Sequence, residues 1–149
     1  MNFLLDTNVI SETTKRLPAP AVLEWVAGQP VDTLYTASLA IAEIRAGIGR
    51  VVDPAARRSD LVRWLEQKVR PFFAARIIEP DEACWMAMLA VLDRAKARRR
   101  TLPVSDLIFA ATAERHDMVV VTRNVKDFGG AGVRILDPWK NMPAVTVCD

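Results

Sequence analysis

Five oxygen-bearing side chains follow or flank short apolar segments, and they are the residues of this chain best suited to chemistry. Asp6 directly follows the apolar run Phe3–Leu5. Glu43 lies in Ala42-Glu43-Ile44-Arg45-Ala46-Gly47, Asp106 comes just after Pro103, and Asn124 and Asp127 follow the run Met118–Val121. Acids gathered in one place repel: two carboxylates about 4 Å apart cost roughly 4 kcal/mol at an effective dielectric of about 20. A divalent cation removes that cost, and a set made only of oxygen donors points to Mg2+, with Mn2+ as a substitute. The chemistry expected of such a centre is metal-assisted attack of water on a phosphodiester. The single histidine, His116, and the distant cysteines Cys84 and Cys148 offer no zinc site. A lone histidine also argues against a serine or cysteine hydrolase.

Each acid also has an ordinary structural reading. Asp6-Thr7-Asn8 is a good helix start, so Asp6 serves equally as a cap. Asp106 falls in the first turn of a helix opened by Pro103, where the helix dipole stabilises an acid. Glu43 is expected on a helix face shared with Leu39, Ala42, Ala46 and Gly47. That small, apolar face is expected to turn inward and carry Glu43 with it. A buried glutamate then needs a cation or hydrogen-bonding partners; the alternative is a salt bridge to Arg45 or Arg50. For Asp127 the ordinary reading is a solvated turn acid.

The elements that must position these groups alternate in type. Strands are expected at Asn2–Leu5, Thr33–Thr36, Met118–Thr122 and Arg134–Leu136, the third being rich in β-branched residues, with a connecting strand or extended turn at Arg76–Glu79. Helices are expected near 20–28, from Leu39 to about Val52 with Ser38 as cap, over Pro54–Phe73, over Asp81–Arg98 and from Pro103 to Arg115. In the 81–98 helix, Trp85, Met88, Leu89 and Leu92 are expected on the packed face. This order predicts an α/β domain, a central mostly parallel sheet flanked by helices, with the site at the carboxyl ends of the strands. The alanines at 110, 111 and 113 leave room for the last helix to approach the sheet.

Length and composition set the frame. A chain of 149 residues, 51% hydrophobic and 26% charged, suits one domain spanning 1–149. The start, Met1-Asn2-Phe3-Leu4-Leu5-Asp6, has no basic segment before its apolar run, and no apolar run approaches membrane-spanning length. With two scattered cysteines, the expectation is a reduced, cytoplasmic protein without a membrane partner. The net charge of +2 leaves a surface more basic than it suggests if several acids converge in one pocket.

Taken together the motifs resemble the PIN-domain nucleases. Leu4-Leu5-Asp6-Thr7-Asn8-Val9-Ile10-Ser11-Glu12 is similar to their opening signature, and Ala42-Glu43-Ile44-Arg45-Ala46-Gly47 to their second motif. The stretch from Asp106 to Ala113 is similar to the third, and Val121-Thr122-Arg123-Asn124 with Asp127-Phe128 to the fourth. The order holds over essentially the whole chain. Within that family the likeness is to the VapC toxins, in the FitB-like subgroup, and Asp137-Pro138-Trp139 adds to it. The resemblance implies a PIN-like three-layer sandwich and a magnesium-dependent endoribonuclease, the toxin of a type II toxin–antitoxin pair. It implies Asp6, Glu43, Asp106 and Asn124 as catalytic residues and Asp6, Glu43 and Asp106 as the metal-binding acids. Its partners are then RNA, a cognate antitoxin that alone touches DNA, and a second copy in a homodimer. Some members carry a fourth acid where this chain has Asn124, which offers an oxygen but no charge.

Arg94, Lys96, Arg98, Arg99 and Arg100 form the densest basic run, with a looser group at Arg57, Arg58 and Arg63. These groups either bind RNA phosphates or form solvated helix ends. Trp25, Trp64 and Trp85 are expected in the core. The competing functions are a metal-dependent DNA nuclease or phosphatase using the same acids, and a catalytically silent binding module of the same fold. A haloacid-dehalogenase-like phosphatase is disfavoured because Thr7 and Asn8 follow Asp6 where a second aspartate is needed.

Overall fold

The computed structural model describes residues 1–52 and 54–149. Strand β1 (Asn2–Leu5) lies at the centre of a six-stranded sheet of order β3-β2-β1-β4-β5-β6. Its neighbours are β2 (Leu34–Ala37), with Leu5 opposite Thr36, and β4 (Met118–Val121), with Leu5 opposite Val121. Strands β3 (Ile77–Ile78) and β5 (Arg134–Leu136) add in parallel outside these, and β6 (Thr146–Val147) closes the edge antiparallel to β5. All four residues of β4 are buried, as expected of a strand covered on both faces.

Alternation along β1 assigns the layers. Phe3 meets Trp25 edge to face at 5.1 Å, on the side covered by α2 (Pro20–Ala27). Leu5 points the same way, lining an apolar hollow with residues of α1 (Thr7–Glu12) and α5 (Arg70–Phe73). The opposite layer is the hairpin of α6 (Glu82–Ala97) and α7 (Val104–Arg115), with α7 against β4. Ala110, Ala111 and Ala113 are buried in that contact, the close approach their small size permits.

Helix α3 (Ser38–Gly49) follows β2 directly and corrects two expectations. Ala37, not Ser38, is its cap residue, and no side chain caps it. Its inward face is Ala40, Ile41, Ile44 and Ile48, while Ala42, Ala46 and Gly47 face solvent. The isoleucines, spaced three and four apart, remove far more apolar surface from water than a stripe of alanine and glycine. Glu43 therefore lies half-buried beside the packed face. A similar correction applies to α6, whose buried residues are Cys84, Val91 and Ala95, with Met88 and Leu92 half-buried. Trp85 and Leu89 are 45% and 57% exposed.

The segment expected as one helix over 54–73 is α4 (Ala55–Trp64) running through a π turn, Leu65–Val69, into α5. Pro71 accounts for the wide turn: it has no N–H to donate, and the preceding turn loosens so that Arg70 N–H reaches Leu65 O. Leu65, Val69 and Phe73 stay buried through the bulge. Among the described residues, no helix is long and apolar enough to cross a membrane.

Candidate active site

The carboxyl ends of β1 and β4 meet at Asp6, whose N–H donates to Val121 O at 3.0 Å. Its side chain is buried and fully engaged. One oxygen accepts from Thr7 N–H at 2.6 Å, capping α1; the other accepts from Asn8 Nδ2 and Thr122 Oγ1, both at 2.6 Å. Asp6 thus caps α1 with one oxygen while the other joins the hydrogen-bond network at the strand ends. Asn8 Oδ1 accepts from Arg123 N–H at 3.3 Å and Thr122 Oγ1 from Asn124 N–H at 3.0 Å, which ties the turn after β4 to the turn after β1. The hydroxyl of Thr7 donates to Glu43 Oε2, so α3 is joined to the same network.

Asp106 enters from the first turn of α7 and is 9% exposed. Its carboxyl is pushed up to about 6 by burial, and by the negative charges of Asp6, Asp127 and Glu43. Burial raises Asp6 as well, with Glu43 adding to the rise, against the downward pull of its hydrogen bonds to Thr122, Thr7 and Asn8. The charges of Asp6, Glu43 and Asp127, from three separate segments, therefore act on Asp106. Among the described residues, no lysine or arginine pairs with Asp6, Glu43, Asp106 or Asp127. Arg45, one candidate partner for Glu43, bonds Glu66 instead at 2.8 Å.

At the fourth motif both Asn124 and Asp127 are exposed: Asp127, in the 3-10 turn Val125–Phe128, adds to the negative charge felt by Asp106, and the Asn124 N–H donates to Thr122 Oγ1. Thr7, Asn8 and Thr122 bond the acids' carboxylates, and residue type alone did not single them out. Their signal was location, at the ends of the same strands as the acids.

The donor set suits a hard divalent ion. Among the described residues, no group of three or more His, Cys, Asp and Glu side chains is placed to hold a metal ion. Magnesium is commonly bound through only one or two carboxylates and keeps several waters, so the residues to consider are Asp6 and Asp106. Both thiols are free, Cys84 buried under α6 and Cys148 half-buried beside β6.

The sequence model of the PIN domain matches residues 3–129. The chain belongs to the PIN-domain family. Two curated PIN relatives cover nearly its full length. The VapC ribonuclease Y4jK of Sinorhizobium fredii is 36% identical over 138 residues, 92% of this chain and 97% of that one. Toxin FitB of Neisseria gonorrhoeae is 32% identical over 136 residues, 91% of this chain and 97% of that one. The crystal structure of FitAcB from Neisseria gonorrhoeae superposes with a TM-score of 0.87 at 32% identity, covering 92% of this chain and 98% of the other. The PIN sandwich and its VapC-like, FitB-like character agree with the resemblance carried by the four motifs.

Proposed function

We propose that this PIN domain is a magnesium-dependent endoribonuclease and the toxin of a type II toxin–antitoxin pair. The observation that carries the reading is Asp106, a buried carboxylate under the negative charges of Asp6, Asp127 and Glu43 that pairs with no lysine or arginine among the described residues. The names of its relatives, a VapC ribonuclease and a toxin, supply the substrate class and biological role. Asp6 and Asp106 are the residues that would hold the ion, with Glu43 and Asp127 holding its waters. Magnesium, when bound, lowers the pKa of water and offsets charge on a phosphodiester. The chain's own part is orientation. Thr122 and Asn8 lock the Asp6 carboxylate, Thr7 holds Glu43, and α7 brings Asp106 against the sheet edge without an intervening base.

The antitoxin in this reading occupies the apolar hollow of about 210 Å3 lined by Leu5, Val9, Ile10, Val26, Val69 and Phe73, one residue from Asp6 along β1. An apolar segment fits such a lining. DNA contact belongs to the antitoxin, and the toxin is read as a homodimer, which sedimentation of the purified chain checks. The decisive experiment incubates the protein with RNA and with DNA, each with Mg2+, Mn2+ or chelator. RNA is cut only with metal, and not by the Asp106→Asn protein. Cleavage of DNA alone, or RNA cleavage persisting in chelator, overturns the assignment.

A further inference from the structure

The basic run at 94–100, the densest in the sequence, is partly committed to holding the molecule together. Arg94 donates to Ala131 O at 3.1 Å and pairs with Glu114, and Arg98 donates to Gly130 O at 3.3 Å. Gly130, at φ 85°, lies so close to Arg100 that a Cβ would meet its Cγ at 2.9 Å. A different set of cations stands beside the acids. Arg123, Lys126 and Lys140 line an open cleft of about 460 Å3 whose wall also includes the acids Asp127 and Asp137. Among the described residues none of the three forms an ion pair.

The cleft is built, not incidental. The Arg123 N–H is bonded to Asn8, which in turn holds Asp6, so this arginine is one hydrogen-bonded step from the acid network. Its guanidinium lies over the Trp139 ring at 5.7 Å from the centroid. Trp139 is itself held by Asp137, whose Oδ1 accepts from the Trp139 N–H at 3.0 Å. A guanidinium spread on an aromatic face loses less freedom on binding and keeps its N–H edge directed outward.

The geometry points to this cleft as a subsite for the backbone of single-stranded RNA. Arg123, Lys126 and Lys140 contact phosphates flanking the one at the acids, and Trp139 orients Arg123. The inference rests on the ribonuclease reading and extends it to named substrate contacts. An RNA strand reaching the carboxylates must pass a region of negative charge. Arg123 and Lys126 from the turn after β4, with Lys140 from the segment after β5, offset that repulsion and set the strand's path.

Binding is measured in an Asp106→Asn background, which separates it from cleavage, by fluorescence anisotropy of a short single-stranded RNA between about 50 and 200 mM salt. The Arg123→Gln, Lys126→Gln, Lys140→Gln combination is expected to bind at least about tenfold more weakly, with the slope of log K against log salt flattened by about 2, near 0.7 per lost phosphate contact. Trp139→Leu is expected to reproduce part of the affinity loss. Arg94→Gln is expected to lower the melting temperature and leave the salt slope unchanged. Unaltered affinity and slope in the triple variant overturn the subsite while leaving the ribonuclease reading intact, provided the parent binds and the wild type cuts RNA. A parent that binds no RNA sinks both. Loss of binding to a short acidic peptide with RNA binding retained also overturns it, marking the cleft as a protein contact.

Discussion

Two buried carboxylates of the first motif, six residues apart, have opposite electrostatic fates. Glu12, at the end of α1, is 2% exposed, pairs with Lys15 at 2.6 Å and accepts from Ala19 N–H at 2.8 Å. Burial works to raise its pKa, but Lys15 and the Ala19 N–H win, and the carboxyl lies below its ordinary range. Asp6 is also buried and richly hydrogen-bonded, yet among the described residues no lysine or arginine pairs with it, and Glu43 adds negative charge beside it. The difference separates an acid neutralised within the fold from acids whose charge the fold leaves uncompensated. Burial alone does not distinguish them; the sign of the surroundings does.

Removing either kind of acid breaks this comparison in a different observable. Asp6→Asn or Asp106→Asn is expected to reduce metal-dependent RNA cleavage by roughly 100-fold or more, the scale of losing several kcal/mol of charge stabilisation. Circular dichroism should show the fold intact in both. Glu12→Ala leaves the Ala19 N–H without its acceptor and is expected to destabilise by about 1–3 kcal/mol, read by denaturant titration, with cleavage per folded molecule retained.

The two kinds of acid also predict opposite pH dependences. The raised pKa of Asp106 means that the metal-free fold binds its proton more tightly than the unfolded chain does. That contribution is complete below about pH 4 and lost as pH rises through about 6, amounting to at most about 3 kcal/mol. Asp6 acts in the same direction. Glu12, with its pKa lowered, contributes above its ordinary value of 4.5, and that contribution is lost as pH falls below it. Thermal scans without metal should therefore show the melting temperature falling by several degrees from about pH 5 to 7.5. Asp106→Asn should flatten that decline. Millimolar Mg2+ should restore stability at pH 7.5 in the wild type by about 2–3 kcal/mol if present near 100 times its dissociation constant, and much less in Asp106→Asn. The smallest effect is expected at the fourth motif. Asn124→Ala should slow cleavage less than Asp127→Asn, because only the latter removes a charge that reaches Asp106.

Much of the architecture was legible because local rules and the global fold agree. An apolar strand meeting an acid, a proline opening a helix and a β-branched run placed β1, α7 and β4 within a residue or so of their observed bounds. The misreadings share one cause. On α3 and α6 more than one stripe was apolar enough to pack, and periodicity within a helix cannot say which stripe the sheet will cover. That ambiguity turned Ala42, Ala46, Trp85 and Leu89 inward in expectation and outward in fact.

By itself the sequence determined which oxygens and cations exist, their order along the chain, and the strands and helices that carry them, because these follow from neighbours a few residues apart. Only the tertiary structure decided which charges meet. It brought the charge of Asp127 to bear on Asp106, gave Arg94 and Arg98 to the loop at 130–131, and left Arg123, Lys126 and Lys140 around a cleft beside the acids. Electrostatic energy depends on distance through space and on what has been removed from water, and neither is set until distant segments pack.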